Sequence, residues 1–377
     1  MSADSFLSWP FFEERHRNFT HDLRAWIESH KKAPGLDHVA RAKAWVSDLA
    51  AGGWLLRCIP PLDVRTLCLA RESLAYHDPL ADFAFAMQGL GAGPISQFGT
   101  QAQKDRYLPS VANGRTIVAF AISEREAGSD VAAVQTTAHR DEDAYFLNGE
   151  KTWTSNAGIA SVYIVFARTS DAGSKGLSAF VVRAATAGLK AVGSIETLYP
   201  HPLGELRLRN CKVPLENRIG EEGDGFKIAM ATLDIFRPTV GAAALGLARR
   251  AFDEAVRHVQ TRKVFGKPLA AQQLTQTRIA QMATDIDAAA LLVYRAAYNK
   301  DCGAARITRE AAMAKWFATE RAWRVIDSAV QLFGGRGVTR GEVVEELYRA
   351  VRALRIYEGS SEIQQIVIAR TILGSHT

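Results

Sequence analysis

From about Gly225 onward the chain repeats its apolar residues at the helical period. The runs Phe226 to His258, Leu274 to Asp301, Thr308 to Phe333 and Glu362 to Leu373 are long, alanine-rich and amphipathic. Such runs with short connections bury their stripes only against one another, which predicts a helical bundle. The preceding hundred or so residues have a different texture. Thr116 to Ile122, Ala144 to Leu147, Lys151 to Ser155, Ser161 to Ala167, Leu177 to Val182 and Glu205 to Leu208 are short and rich in β-branched and aromatic residues. Asn148-Gly149 between two of them reads as a hairpin turn. Together they predict an antiparallel β-domain. Before that the helical period holds, in Phe19, Leu23, Trp26 and Ile27 and in Val64, Leu67, Cys68 and Leu74. The Pro60-Pro61 pair is expected to separate helices, and Pro109 to stop the helix ending near Leu108. The fold class is therefore α+β, mostly α: a helical domain over residues 1–115, a β-domain over 116–222 and a helical bundle over 223–377.

Several classes of function are excluded by composition and spacing. The 377 residues carry a net charge of +6, but basic and acidic residues alternate along the chain. Nucleic-acid binding would concentrate the basic ones, so none is expected. The four cysteines, Cys58, Cys68, Cys211 and Cys302, are scattered, and the nine histidines form no metal-binding spacing. No metal is expected. No apolar stretch reaches the ~18–20 residues of a membrane span, and Glu13 and Glu14 stand where a leader would be basic or apolar. A cytoplasmic protein is the resulting expectation.

Five segments could carry chemistry. In Ile356-Tyr357-Glu358-Gly359-Ser360-Ser361-Glu362-Ile363-Gln364-Gln365, Ser361 and Gln364 form a capping box, so a helix should begin near Glu362. Glu358 then lies in the preceding turn, as a general base facing a cleft or as a solvated loop residue. Ser123-Glu124-Arg125-Glu126-Ala127-Gly128-Ser129-Asp130 follows a strand and can present amides and hydroxyls to an anion, or be a plain turn. Trp153-Thr154-Ser155 offers an indole and a hydroxyl to a planar group, or to the core. Thr261-Arg262-Lys263-Val264-Phe265-Gly266-Lys267 suits a pyrophosphate under a flat ring, or is a charged connection. Gln331-Leu332-Phe333-Gly334-Gly335-Arg336-Gly337 has more glycine than a helix C-cap requires.

Taken in order, AFAISEREAGSD, LNGEKTWTSN, TRKVFGKPLAAQQ, QLFGGRGV and IYEGSSEIQQ make the chain from about Leu67 to Leu373 resemble the acyl-CoA dehydrogenase family. The resemblance implies the same helical, β and four-helix-bundle succession, FAD held between β-domain and bundle, and a homotetramer. It implies that Phe120, Ser123, Gly128, Ser129, Trp153 and Ser155 line the flavin. Arg262, Phe265, Gln273, Gln331 and Gly335 of a second subunit would hold the ADP half, with Ser360 and Glu362 touching FAD again. It further implies that Glu358 removes the α-proton of an acyl-CoA, with Ser129, Arg237, Tyr357 and Gly359 at the substrate. Hydride then passes to flavin N5 and electrons to an electron-transfer flavoprotein, as in fatty acid β-oxidation. Some members carry their base at the position of Phe236, which cannot take a proton. Arg125 stands where the family usually has proline, and Ala86 to Gly93 should floor the acyl pocket. The alternatives are an acyl-CoA oxidase or flavin monooxygenase of the same superfamily, or a non-catalytic or nucleic-acid-binding relative. The first group would usually have an extra C-terminal domain or lack the glutamate, and the second would have basic C-terminal segments.

Overall fold

A computed structural model describes residues 5–30 and 36–374. Five helices come first: α1 (Glu14–Ser29), α2 (His38–Ala51), α3 (Val64–His77), α4 (Pro79–Phe98) and α5 (Gln101–Ala112). The strands follow: β1 (Val118–Ala121), β2 (Thr137–Asp141), β3 (Ala144–Ser155), β4 (Val162–Arg168), β5 (Leu177–Arg183), β6 (Leu189–Ser194), β7 (Leu203–Pro214) and β8 (Arg218–Ile219). Then come α6 (Gly225–Thr261), the two-residue strands β9 (Lys263–Val264) and β10 (Lys267–Pro268), α7 (Gln273–Asp301), α8 (Thr308–Phe333), α9 (Val343–Arg352) and α10 (Ser361–Leu373). The order of helices, strands and helices is the one expected from periodicity. Pro109 does not end α5; it sits inside it, and the helix runs three residues further before Asn113 caps it. Proline there removes one N–H donor near the end of the helix, a smaller loss than a break in its middle.

The chain forms two compact units. One contains α2, α4 from Phe83, α5, the eight-stranded sheet and α6 as far as Leu233. Its strands run β6-β7-β3-β2-β4-β5-β8, with β1 also beside β4. Most pairs are antiparallel, but β1 lies parallel to β4 from Val118↔Val162 to Ala121↔Val165. That pairing was not expected; it is possible because β2 and β3 intervene in sequence and return the chain to the same direction. Every residue of β4 from Val162 to Ala167 is buried, and alternate side chains serve opposite faces. Tyr163, Val165 and Ala167 join Tyr145, Leu147, Phe180 and Leu206 on one side. Val162, Ile164 and Phe166 join Ile95, Leu108, Val111 and Ile228 on the other, so α4, α5 and the start of α6 cover that face.

Asn148-Gly149 is not a hairpin turn. Both residues lie inside the single twelve-residue strand β3, at a register shift against β7 between Leu147 and Gly149. Asn148 Oδ1 accepts the N–H of Asn210 at 2.8 Å across the bulge. Gly149 has φ +148°, and a Cβ there would lie 2.7 Å from Thr136 Cα. The same tolerance of positive φ that suits a turn here suits a bulge. Gly149→Ala should therefore cost about 1–3 kcal/mol, read as a lower urea midpoint, because backbone must move to admit the methyl.

The other unit is helical: α1, α3, the start of α4, α6 from Asp234, and α7 to α10. Phe6 stacks on Tyr294 at 5.6 Å, and the Tyr294 hydroxyl donates to Glu72, which also pairs with Arg249 at 2.7 Å. These contacts tie α3, α6 and α7. Along α8 the buried stripe includes Ala311, Ala314, Lys315, Ala318, Ala322, Val325, Ile326 and Ala329, at helical spacing. A lysine sits within it. The helix α6 is long and apolar enough to cross a membrane by composition, yet 89% of its apolar window is buried, as in a core helix.

Candidate active site

Residues 356–360 link a one-turn helix, Ala353–Arg355, to α10. Glu358 has φ +54° and Gly359 φ +90°. For a residue with a Cβ the left-handed region costs about 1–2 kcal/mol, so something must hold it. Three side chains do so through the two carbonyls this conformation exposes. Arg237 Nε donates to the Glu358 carbonyl at 3.3 Å, and Gln364 Nε2 donates to the same carbonyl at 3.1 Å and to that of Gly359 at 2.9 Å. Lys315 Nζ donates to the Gly359 carbonyl at 2.7 Å. The expected capping box is therefore corrected. Ser360, not Ser361, is the N-cap, and α10 starts at Ser361. Ser361 Oγ donates to Glu320, while Gln364 turns to the loop carbonyls instead of the cap amide.

Glu358 Oε2 is shielded from solvent and has no hydrogen-bond partner among the described residues. Burial pushes the carboxyl above the usual glutamate range, while the positive charges of Arg71, Lys315 and Arg237 pull it back and Asp82 adds to the rise. Arg71 is itself buried and forked onto Asp82 at 2.7 and 2.9 Å, with a third bond to Thr239 Oγ1 at 3.0 Å. Arg237 pairs with Asp234 at 3.4 Å, and Thr308 Oγ1 donates to the same Asp234. Burial also raises the Tyr357 phenol. Phe236 is 2% exposed and offers no proton acceptor. Sequence reading singled out Glu358, Arg237, Tyr357 and Gly359, which the helical unit brings together. It missed Lys315, Gln364, Arg71 and Asp82. For Lys315 a signal existed: a charged residue on the apolar stripe of α8 demands a reason.

In the unit built around the sheet, the Thr152 N–H donates to the Ser123 carbonyl at 3.0 Å, so the segments carrying Ser123 and Trp153 are adjacent. Trp153 is 59% exposed despite lying in a strand, and its φ of +52° marks a second register shift between Lys151 and Thr154. Phe120 packs against Phe166, the ring centroids 4.8 Å apart and the planes tilted by 49°. Gly128 and Ser129 are exposed, Ser155 is half-buried, and a Cβ at Gly128 would meet nothing. Beneath the loop Glu124 accepts from Lys151 at 2.7 Å and from the amides of Gln135 and Thr136 at 2.6 and 2.9 Å. Sequence reading gave neither partner a role. An uncovered indole beside hydroxyls and an open glycine fits the ring system of a flavin.

A second exposed group forms at one end of the helical unit. His258 of α6 stacks on Phe333 of α8 at 4.2 Å, and the Leu269 N–H donates to the Arg262 carbonyl at 2.7 Å. Arg262, Phe265, Gln273, Gln331 and Gly335 thus lie on neighbouring ends of α6, α7 and α8, all exposed, with Phe265 98% uncovered. The set suits a pyrophosphate and a flat ring. It is not near Glu358. Lys315, which touches the Glu358 loop, precedes Gln331 by sixteen residues of α8, or ~24 Å along the axis. Ser360 and Glu362 stay with the Glu358 loop at the start of α10.

Comparison with known proteins supplies the family. Models of the acyl-CoA dehydrogenase N-terminal, middle and C-terminal domains match residues 13–115, 119–211 and 223–373. The chain is 41% identical to cyclohexane-1-carbonyl-CoA dehydrogenase of Geobacter metallireducens, over 81% of each protein. It is 43% identical to 3-(aryl)acrylate reductase of Clostridium sporogenes, over 74% of this chain and 75% of that one. Butyryl-CoA dehydrogenase from Megasphaera elsdenii superposes with a TM-score of 0.89 at 35% identity, covering 96% of this chain and 99% of the other. The three matched domains, the identities and the superposition agree: the protein is an oxidoreductase that belongs to the acyl-CoA dehydrogenase family, whose members are flavoproteins.

Proposed function

We propose that this protein is an FAD-dependent dehydrogenase in which Glu358 takes the α-proton of a saturated acyl-CoA, giving the trans-2-enoyl-CoA, with an electron-transfer flavoprotein as acceptor. The observation that carries this reading is Glu358 Oε2, which is shielded and has no hydrogen-bond partner among the described residues, on a loop anchored by Arg237, Lys315 and Gln364. The position of the alternative base is a buried phenylalanine.

A thioester α-proton is weakly acidic, so its removal needs a placed base and a donor for the developing enolate oxygen. Arg71, Lys315 and Arg237 favour the ionised Glu358 against the cost of burial. The Glu358 N–H makes no hydrogen bond among the described residues and is available to the thioester oxygen. Ser129, Arg237, Tyr357 and Gly359 complete the proposed substrate contacts. FAD supplies the two-electron acceptor for the β-hydrogen. Phe120, Ser123, Gly128, Ser129, Trp153 and Ser155 would hold its ring side, with Ser360 and Glu362. Arg262, Phe265, Gln273, Gln331 and Gly335 would hold the ADP half in a second copy. The ~24 Å between Gln331 and Lys315 along α8 supports a second copy, since one chain's Arg262 set is that far from its own Glu358 loop. The same reading takes residues 1–115, 116–222 and 223–377 as domains, a homotetramer as the assembly, the cytoplasm as location and β-oxidation as the setting.

A relative named for acrylate reduction bears on direction, because Glu358 would then return the proton as a general acid to the same carbon. The test uses anaerobic spectra of the purified yellow protein mixed with short, branched, medium, alicyclic and aryl-propionyl CoA thioesters. At least one class should bleach the flavin, and the matching enoyl-CoA should reoxidise the reduced protein. Failure of every saturated and every unsaturated thioester would remove the proposal.

A further inference from the structure

Lys315 is fully buried on the stripe where α8 otherwise carries small and aliphatic side chains. A buried ammonium costs several kcal/mol unless it is compensated. Among the described residues no carboxylate lies within 4.0 Å of it, and its hydrogen bond goes to the Gly359 carbonyl at 2.7 Å. The charged groups around it are Glu358, Arg237, Glu320 and Glu362. Three of these are engaged or remote: Arg237 pairs with Asp234, Glu320 accepts from Arg355 and Ser361, and Glu362 is exposed at the start of α10. Arg71, forked onto Asp82, and Arg237 also face Glu358. We propose that Lys315 is a positioning residue for the proton transfer: its ammonium clamps the Gly359 carbonyl, holds Glu358 in its left-handed conformation and lends the positive field that keeps that carboxylate ionised.

This rests on Glu358 being the base. A hydrophobic residue of similar length would fill the same stripe, so packing alone does not call for lysine there. Burial pushes the ammonium down to about 7, against the attraction of Glu358. It therefore carries its charge below that value.

The test compares the acid limb of kcat/KM in wild type, Lys315→Met and Lys315→Gln holoenzymes, with the saturated acyl-CoA that bleaches the protein fastest. A second readout, without turnover, follows Glu358 by carbon NMR of glutamate-labelled holoenzyme, its signal assigned by its absence in Glu358→Gln. Loss of the charge should move both titrations upward by about 1 pH unit, so that activity one unit below the wild-type midpoint falls about tenfold and recovers toward alkaline pH. Lys315→Gln keeps a donor without the charge and should shift equally, which serves if Lys315→Met does not fold. A uniform loss at all pH values, with both titrations unmoved, would overturn the inference while leaving the base intact. Full turnover in Glu358→Gln would instead remove the base itself, and the inference with it.

Discussion

Glu358→Gln should leave a folded, yellow protein whose flavin is bleached by acyl-CoA about 10²–10⁴-fold more slowly, the usual contribution of a placed base. The loop is held through the carbonyls of residues 358 and 359, so Arg237, Gln364 and Lys315 keep their acceptors when the side chain changes. Oε2 has no partner among the described residues to lose. Stability should not fall either. Burial raises the native carboxyl above its unfolded value, so the unfolded chain releases that proton first. As pH climbs between the two values the native state is penalised, and the penalty persists above them. Glutamine removes it, so the melting temperature near pH 7.5 should be equal to or above that of wild type. A variant that keeps a tenth or more of the bleaching rate would place the base elsewhere; a colourless, unfolded one would contradict the loop anchoring.

The parts of this molecule that could be read from one chain are those whose signal is local. The runs that became α6, α7 and α8 declare themselves because each stripe repeats over seven or more turns. Asn148-Gly149 misled because positive φ is demanded equally by a turn and by a bulge, and only the partner strand β7 decides between them. Ser361 and Gln364 have capping-box spacing, but the exposed carbonyls of Glu358 and Gly359 draw Gln364 away. Arg71 reaches Asp82 eleven residues on and Thr239 far along the chain, while Lys315 meets a carbonyl 44 residues away. No spacing rule reports such contacts, since they exist only once helices pack. What the sequence did contain was an anomaly of type: lysine where periodicity asks for alanine or leucine.

Lys151 is the same anomaly in a strand, and it leads to the largest expected stability effect. Its side chain is fully buried in β3 and donates to Glu124 at 2.7 Å and to the Ile122 carbonyl at 3.1 Å. Burial pushes the Glu124 carboxyl up, but Lys151, Thr136 and Gln135 outweigh it and hold it below the usual range. Lys151→Met would strand a shielded carboxylate and should cost about 3–5 kcal/mol, measured as a drop in the urea midpoint at pH 7. Adding Glu124→Gln should recover more than half of that loss, because the second change removes the uncompensated charge rather than another contact. Since Glu124 is depressed in the folded protein, its contribution is present above its ordinary value and fades as pH falls through the lowered one. The gap between wild type and Lys151→Met should therefore narrow on acidification. The brace also carries the proposed flavin contacts: Ser123 adjoins Glu124, and Trp153 follows two residues after Lys151. FAD retention on gel filtration should drop in Lys151→Met and return in the double variant. Equal losses in single and double variants would mean that Lys151 acts by packing alone.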